Sequence, residues 1–151
     1  MKILIVDDEK LASSRVHRIL NELGFEDITV FNDPIEAKNN LAKNQYDVIF
    51  LDIQMPEISG LELANYILDI EPNTFIIFQT AFEQHAIEAF KIGGIGYILK
   101  PTNSEDISNA LKKVQKFQES TPQTSSKKLM GKRGNKIYLI EIDDIYETTA
   151  Q

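Results

Sequence analysis

Three acids in a row, Asp7, Asp8 and Glu9, follow directly on the apolar run Ile3-Leu4-Ile5-Val6. Neighbouring carboxylates repel one another and cost free energy to desolvate, so they call for a positive partner. Another acid, Asp52, closes a second apolar run, Val48-Ile49-Phe50-Leu51. Gln79-Thr80-Ala81 closes a third, Thr74 to Phe78, and Lys100 follows a fourth, Tyr97-Ile98-Leu99. Oxygen ligands with few histidines point to a hard divalent cation, Mg2+. Lys100 adds a fixed positive charge and Thr80 a hydroxyl donor. Together these groups suit a phosphoryl group, whose transfer depends on metal, charge and alignment more than on acid–base chemistry. A carboxylate can itself be the nucleophile, forming an acyl phosphate.

Each residue alone has a plainer reading. Asp7 and Asp8 alone are solvated loop acids, Lys100 a surface lysine, Thr80 a helix N-cap and Tyr97 a strand aromatic. Met55-Pro56 is ordinary loop packing. Only the joint pattern, at successive strand ends, favours chemistry. His17 and His85 have no matching spacing for a metal and read as helix-surface residues.

The elements that must position these groups follow from apolar periodicity. The short continuous apolar run at 3–6 predicts a strand covered on both faces, and 28–31, 48–51, 74–78 and 97–99 read as four further strands. Leu11, Val16, Ile19, Leu20 and Leu23 predict a helix that stops at Gly24. Asp33-Pro34 predicts an N-cap and first helical residue for a second helix, running to about Lys43. Further helices are expected from Gly60 to Leu68, around Ala86 to Ile92, and from Ser104 to Phe117. Alternating strands and helices imply βαβ crossovers and a parallel sheet with helices on both faces, an α/β protein. Ligands of such sheets bind beyond the C-terminal strand ends, where strand order reverses, so the distant groups should converge there.

The stretches LIVDDE, LDIQMPEISG, Thr80-Ala81 and GYILKP, in that order over roughly residues 1 to 120, resemble the receiver domain of bacterial two-component response regulators. That resemblance implies a flavodoxin-like, doubly wound sheet of strand order 2-1-3-4-5 over residues 1–118. It implies Asp52 as the phosphoacceptor, served by a sensor histidine kinase. It implies Mg2+ held directly by Asp8, Asp52 and the Gln54 carbonyl, with Asp7 acting mainly through water. Thr80, Ala81 and Lys100 would bind the phosphoryl oxygens, and Lys100-Pro101 would be a cis peptide. Thr80 and Tyr97 would form a switch that reshapes the face built from the fourth helix, fifth strand and fifth helix, by a population shift. Phe82 would lie where the family tunes hydrolysis of the acyl phosphate. A receiver of this kind is a regulated phosphoacceptor, not an enzyme in the usual sense.

Residues 119–127, ESTPQTSSK, read as a linker. Beyond it, GKRGNKIYLIEIDDIYE is similar to the start of a LytTR-type DNA-binding domain, and HAIEAFKIGGIGYILKP resembles the receivers of that LytR/AlgR subfamily. Gly96 departs from the acidic residue often found in that run. Residues 128–151 would then be the N-terminal part, a short β-type extension, of a domain that needs roughly a hundred residues. The resemblance implies transcriptional control, with a homodimer as the regulated form, and DNA as a partner of the full-length protein rather than of this fragment. The alternative is a stand-alone receiver that acts as a protein-binding adaptor. Phosphatases of the haloacid dehalogenase kind also form an aspartyl phosphate, but they place two aspartates two apart on one strand, whereas Asp7-Asp8 and Asp52 lie on separate strands.

Composition is consistent with these readings. The 151 residues are 42% hydrophobic and carry a net charge of -7, which argues against nucleic-acid binding by the whole surface. Residues 1–120 hold 11 basic and 19 acidic groups, net -8; residues 121–151 hold 5 and 4, net +1. Cysteine is absent, which rules out disulfides and thiolate metal sites. No apolar run is long enough for a membrane span, so a cytoplasmic protein is expected.

Overall fold

The computed structural model describes residues 1–120. The expected linker from 121 onward and the β-type extension at 128–151 lie outside the described residues. Five strands and five helices alternate: β1 Ile3–Val6, α1 Lys10–Glu22, β2 Ile28–Phe31, α2 Pro34–Leu41, β3 Val48–Asp52, α3 Gly60–Ile70, β4 Phe75–Thr80, α4 Ala86–Ile92, β5 Gly96–Leu99 and α5 Ser104–Ser120. A 3-10 turn, Glu83–His85, precedes α4. All strand pairs are parallel, in the order β2-β1-β3-β4-β5. This is the flavodoxin-like order the resemblance implies.

Two apolar layers sandwich the sheet, because successive strand residues face opposite ways. Ile3, Ile5, Phe50 and Ile77 pack under α1 and α5 against Val16, Leu20, Ile107 and Val114. Leu4, Val6, Ile49, Leu51 and Phe78 pack on the other side against Ala37, Leu63, Ile67 and Ala89 of α2, α3 and α4. The unbroken apolar runs of β1 and β3 are thus explained: every residue from Ile3 to Val6 and from Val48 to Leu51 is fully buried.

Local signals act as expected at several boundaries. Asp33 caps α2 by accepting from the Ile35 amide, with Pro34 behind it. Ser59 and Glu62 form a reciprocal capping box at the start of α3. Elsewhere the boundaries move. Leu11 was expected on the buried stripe of α1 but is 88% exposed. It lies five residues before Val16, off a stripe that instead begins at Ser13, three before Val16. Leu23, the other end of the expected stripe, is also exposed, because α1 has ended at Glu22. The second helix ends at Leu41 rather than Lys43, and α5 runs on to Ser120, two residues into the expected linker.

Candidate functional site

Strand register brings the distant groups together. Val6 pairs with Leu51, so Asp7, next in sequence, stands beside Asp52 at the end of β3. Asp52 in turn pairs with Gln79, which puts Thr80 at the same edge. Thr80 pairs with Leu99, and its carbonyl accepts from the Lys100 amide at 2.8 Å. Four adjacent strands therefore deliver Asp7, Asp52, Thr80 and Lys100 to one rim.

The loop after β3 must pass very close to Asp52. An added Cβ on Gly60 would stand 1.9 Å from the Asp52 carbonyl oxygen, so only glycine fits where α3 starts. The Gly60 amide donates to the Ile53 carbonyl at 2.7 Å and ties the loop shut.

At the rim, Asp7 is wholly buried, Asp52 is 4% exposed and Asp8 is exposed. One carboxylate oxygen from each of the three lies within 4.8 Å of the others. Lys100 Nζ stands 2.6 Å from Glu9 Oε1, 3.0 Å from Asp7 Oδ2 and 3.3 Å from Asp52 Oδ2. Asp7 also accepts from the Glu9 amide at 2.9 Å and from Gln79 Nε2 at 3.3 Å.

Electrostatics follow from this crowding. Burial, reinforced by the charge of Asp7, pushes the Asp52 carboxyl up to about 7, against the opposing pull of Lys100. Burial also raises Asp7, although the Glu9 amide and Lys100 work against it. For Lys100, burial alone would lower the ammonium, but hydrogen bonds to Glu9 and Asp7 outweigh it and raise the group. Among the described residues, four carboxylates crowd around one ammonium. The donor set, all oxygen and close-spaced, fits a hard divalent ion that would supply the missing positive charge.

The remaining expected residues lie around this centre. Gln54 and Asp8 line an open groove of about 490 Å3 together with Met55, Pro56 and His85. Thr80 is buried and its hydroxyl accepts from the Phe82 amide at 3.3 Å; Ala81 is exposed beside it. Tyr97 is partly buried, donates its hydroxyl to the Phe82 carbonyl, and has its ring 6.5 Å from that of Phe90. The Lys100–Pro101 peptide is cis. Arg15 of α1 donates to the Thr102 carbonyl and so ties the loop that follows Lys100 to α1.

Three residues carry more than their sequence context suggests. His17 sits on the surface of α1 beside Asn21 as expected. His85, also expected on a helix surface, instead lines the groove, with a buried Nε2 that has no hydrogen-bond partner among the described residues. Gln79 is fully buried at the rim, and its carbonyl oxygen likewise lacks a partner there. An amide inside the apolar run of β4 was the available signal. Glu9 stands in view beside Asp7 and Asp8, but its partner, Lys100, lies ninety-one residues away in the chain.

The sequence matches the family model described as response regulator receiver domain over residues 3–112. It is 36% identical to "Sensory transduction protein LytR" of Staphylococcus saprophyticus, over 96% of this chain and 65% of that protein. The chain thus spans a little under two thirds of the length of that curated relative. Among solved structures, it resembles the response regulatory domain of protein mrkE from Klebsiella pneumoniae, with a TM-score of 0.72 and 37% identity over 80% of this chain and 99% of that one. It also resembles response regulator protein TrrA from Thermotoga maritima, solved in complex with Mg(2+)-BeF, with a TM-score of 0.69 and 33% identity over 76% of this chain and 99% of that one.

Proposed function

The chain belongs to the response regulator receiver family, and from that premise we propose that it receives a phosphoryl group on Asp52 from a sensor histidine kinase and relays the event as a change of shape. The convergence of Asp7, Asp8, Asp52 and Lys100 from three strands carries this reading.

An Asp52 carboxylate oxygen attacks the donor's phosphorus. A new O–P bond forms as the donor's bond to phosphorus breaks, and the donor departs with the electron pair. Lys100, already within 3.3 Å of Asp52, pairs with a phosphoryl oxygen. Thr80 Oγ1 accepts from the Phe82 amide, which leaves its own proton to donate to a second oxygen. The Ala81 amide serves a third. Asp8, Asp52 and the Gln54 carbonyl would hold Mg2+, with Asp7 acting through water, and the ion would supply positive charge beside the transferring group.

Drawing Thr80 toward the phosphoryl group disturbs the Phe82 segment, to which both Thr80 and Tyr97 are hydrogen-bonded. Tyr97 then turns inward, and the face of α4, β5 and α5 changes. That face already exposes Ile87 and Leu99, which suits a homodimer formed on activation. In the whole protein, similarity to LytR favours control of transcription through a DNA-binding domain that begins near residue 128, over the adaptor reading. No helix among the described residues is long and apolar enough to cross a membrane, and a cytoplasmic site of action fits the proposed kinase partner.

Labelling with acetyl phosphate or a cognate kinase tests the reading. Asp52→Asn is expected to abolish the acid-stable, hydroxylamine-sensitive label seen on the natural chain. Label retained in that variant would place the acceptor elsewhere.

A further inference from the structure

Glu9 occupies the N-cap position of α1, yet its side chain makes no capping hydrogen bond. Acids at N-caps ordinarily accept from the first free helix amides. Here the carboxylate reaches instead to Lys100 Nζ at 2.6 Å, the shortest of the three contacts made by that ammonium. The Glu9 amide is meanwhile fixed to Asp7 Oδ1 at 2.9 Å, so the residue is held to the site at both ends.

We propose that Glu9 is a positioning residue that restrains Lys100 before phosphorylation and competes with the incoming phosphoryl group for its ammonium. The inference rests on the receiver reading of the site. An ammonium has three N–H donors, and three carboxylates, Glu9, Asp7 and Asp52, surround this one. Asp7 is fully buried and depends on Lys100 for neutralisation. The Glu9 side chain is 63% exposed, so water solvates it readily once it is released. Of the three acids, Glu9 is therefore the one that yields when a phosphoryl oxygen needs a donor. The sequence favours no such role, because an acid after Asp7-Asp8 reads equally well as a metal ligand or a solvated cap.

Beryllofluoride, a phosphoryl mimic, tests this by calorimetric titration at saturating Mg2+. Exposed ion pairs are worth little, so Glu9→Gln is expected to bind the mimic about threefold more tightly than the natural chain. Glu9→Asp keeps the charge but falls one methylene short of Lys100, and it is expected to bind about as tightly as Glu9→Gln. Mg2+ affinity measured without the mimic should change less than mimic affinity. Equal mimic affinity in all three proteins overturns the proposal. So does a Glu9→Asp protein that behaves like the natural chain, because charge and not contact would then be responsible. Failure of the natural chain to bind beryllofluoride would sink the receiver reading itself, and this inference with it; binding without a gain in the variants would sink the inference alone.

Discussion

Asp52 is a carboxylate that strand pairing forces out of water and next to a second acid. Its ordinary value is 3.8, and burial with the charge of Asp7 lifts it to about 7. The sign of the consequence is fixed by linkage. Between those values the folded chain holds a proton that the unfolded chain has lost, so this group's stability is complete below about pH 4 and disappears as pH rises through about 7. An amide at the same place has no charge to desolvate. Asp52→Asn, compared with the natural chain without Mg2+, is therefore expected to be more stable at pH 8 than the natural chain by on the order of 1 kcal/mol or more, and to come close to it at about pH 4. Urea midpoints at the two pH values check it. A gap of the same size at both would mean that Asp52 ionises like an exposed acid. The meeting of Asp7, Asp8, Asp52, Thr80 and Lys100 at one rim is legible because each stands at the end of an apolar run, and sheet topology sends all such ends to one edge. Glu9 and His85 were not, because a side chain's partner across the rim depends on loop paths that no local pattern encodes.

The elements show the same division. β1 and β3 are readable from continuous apolar runs, since a strand covered on both faces has no polar side to mark, whereas β2, half-buried throughout, is marked by its β-branched and aromatic residues. Leu11 misled because a helical stripe tolerates a polar residue: Ser13 is buried in its place, accepting from Asn32 Nδ2 at 2.9 Å and donating to the Lys10 carbonyl. The polar composition around Glu119 suits a solvent-facing helix as well as a linker, so it does not mark the end of α5 at Ser120. In the sequence Gly60 marks only the lead-in to α3, and its real demand is spatial. Alanine there would gain up to about 1 kcal/mol in helix propensity. Its Cβ would meet the Asp52 carbonyl oxygen and carbon and Ile53 Cα, all at 2.8 Å or less and all backbone. Backbone at the end of a central strand has little room to yield, so the clash wins. Gly60→Ala is expected to destabilise the chain by about 1–3 kcal/mol, and to slow acyl-phosphate formation by shifting the end of β3. An unchanged urea midpoint would show that the loop relaxes around the methyl group.

Across the whole molecule, charge is distributed so that one edge of the sheet carries a deficit. The chain has net charge -7, and among the described residues Asp7, Asp8, Glu9 and Asp52 crowd the C-terminal rim around one ammonium, that of Lys100. Asp7 and Asp8 follow β1, and Asp52 ends β3, its neighbour in the sheet. A divalent ion bound there would tie two central strands and relieve their mutual repulsion, and it would find no such site in the unfolded chain. Binding to the folded state alone stabilises by about 2.7 kcal/mol at a free Mg2+ concentration about a hundred times Kd. For a protein of this size that corresponds to a rise in Tm on the order of 5–15 °C. Sodium chloride at matched ionic strength screens the same repulsion without bridging it, and is expected to give a smaller rise. Asp8→Ala removes an exposed oxygen ligand without disturbing either core, so its folded state should persist while the Mg2+-specific part of the rise is lost. A melting curve of Asp8→Ala that responds to Mg2+ as the natural chain does would show that the ion acts on the general acidic surface, and the three-carboxylate centre would lose its claim as the metal site.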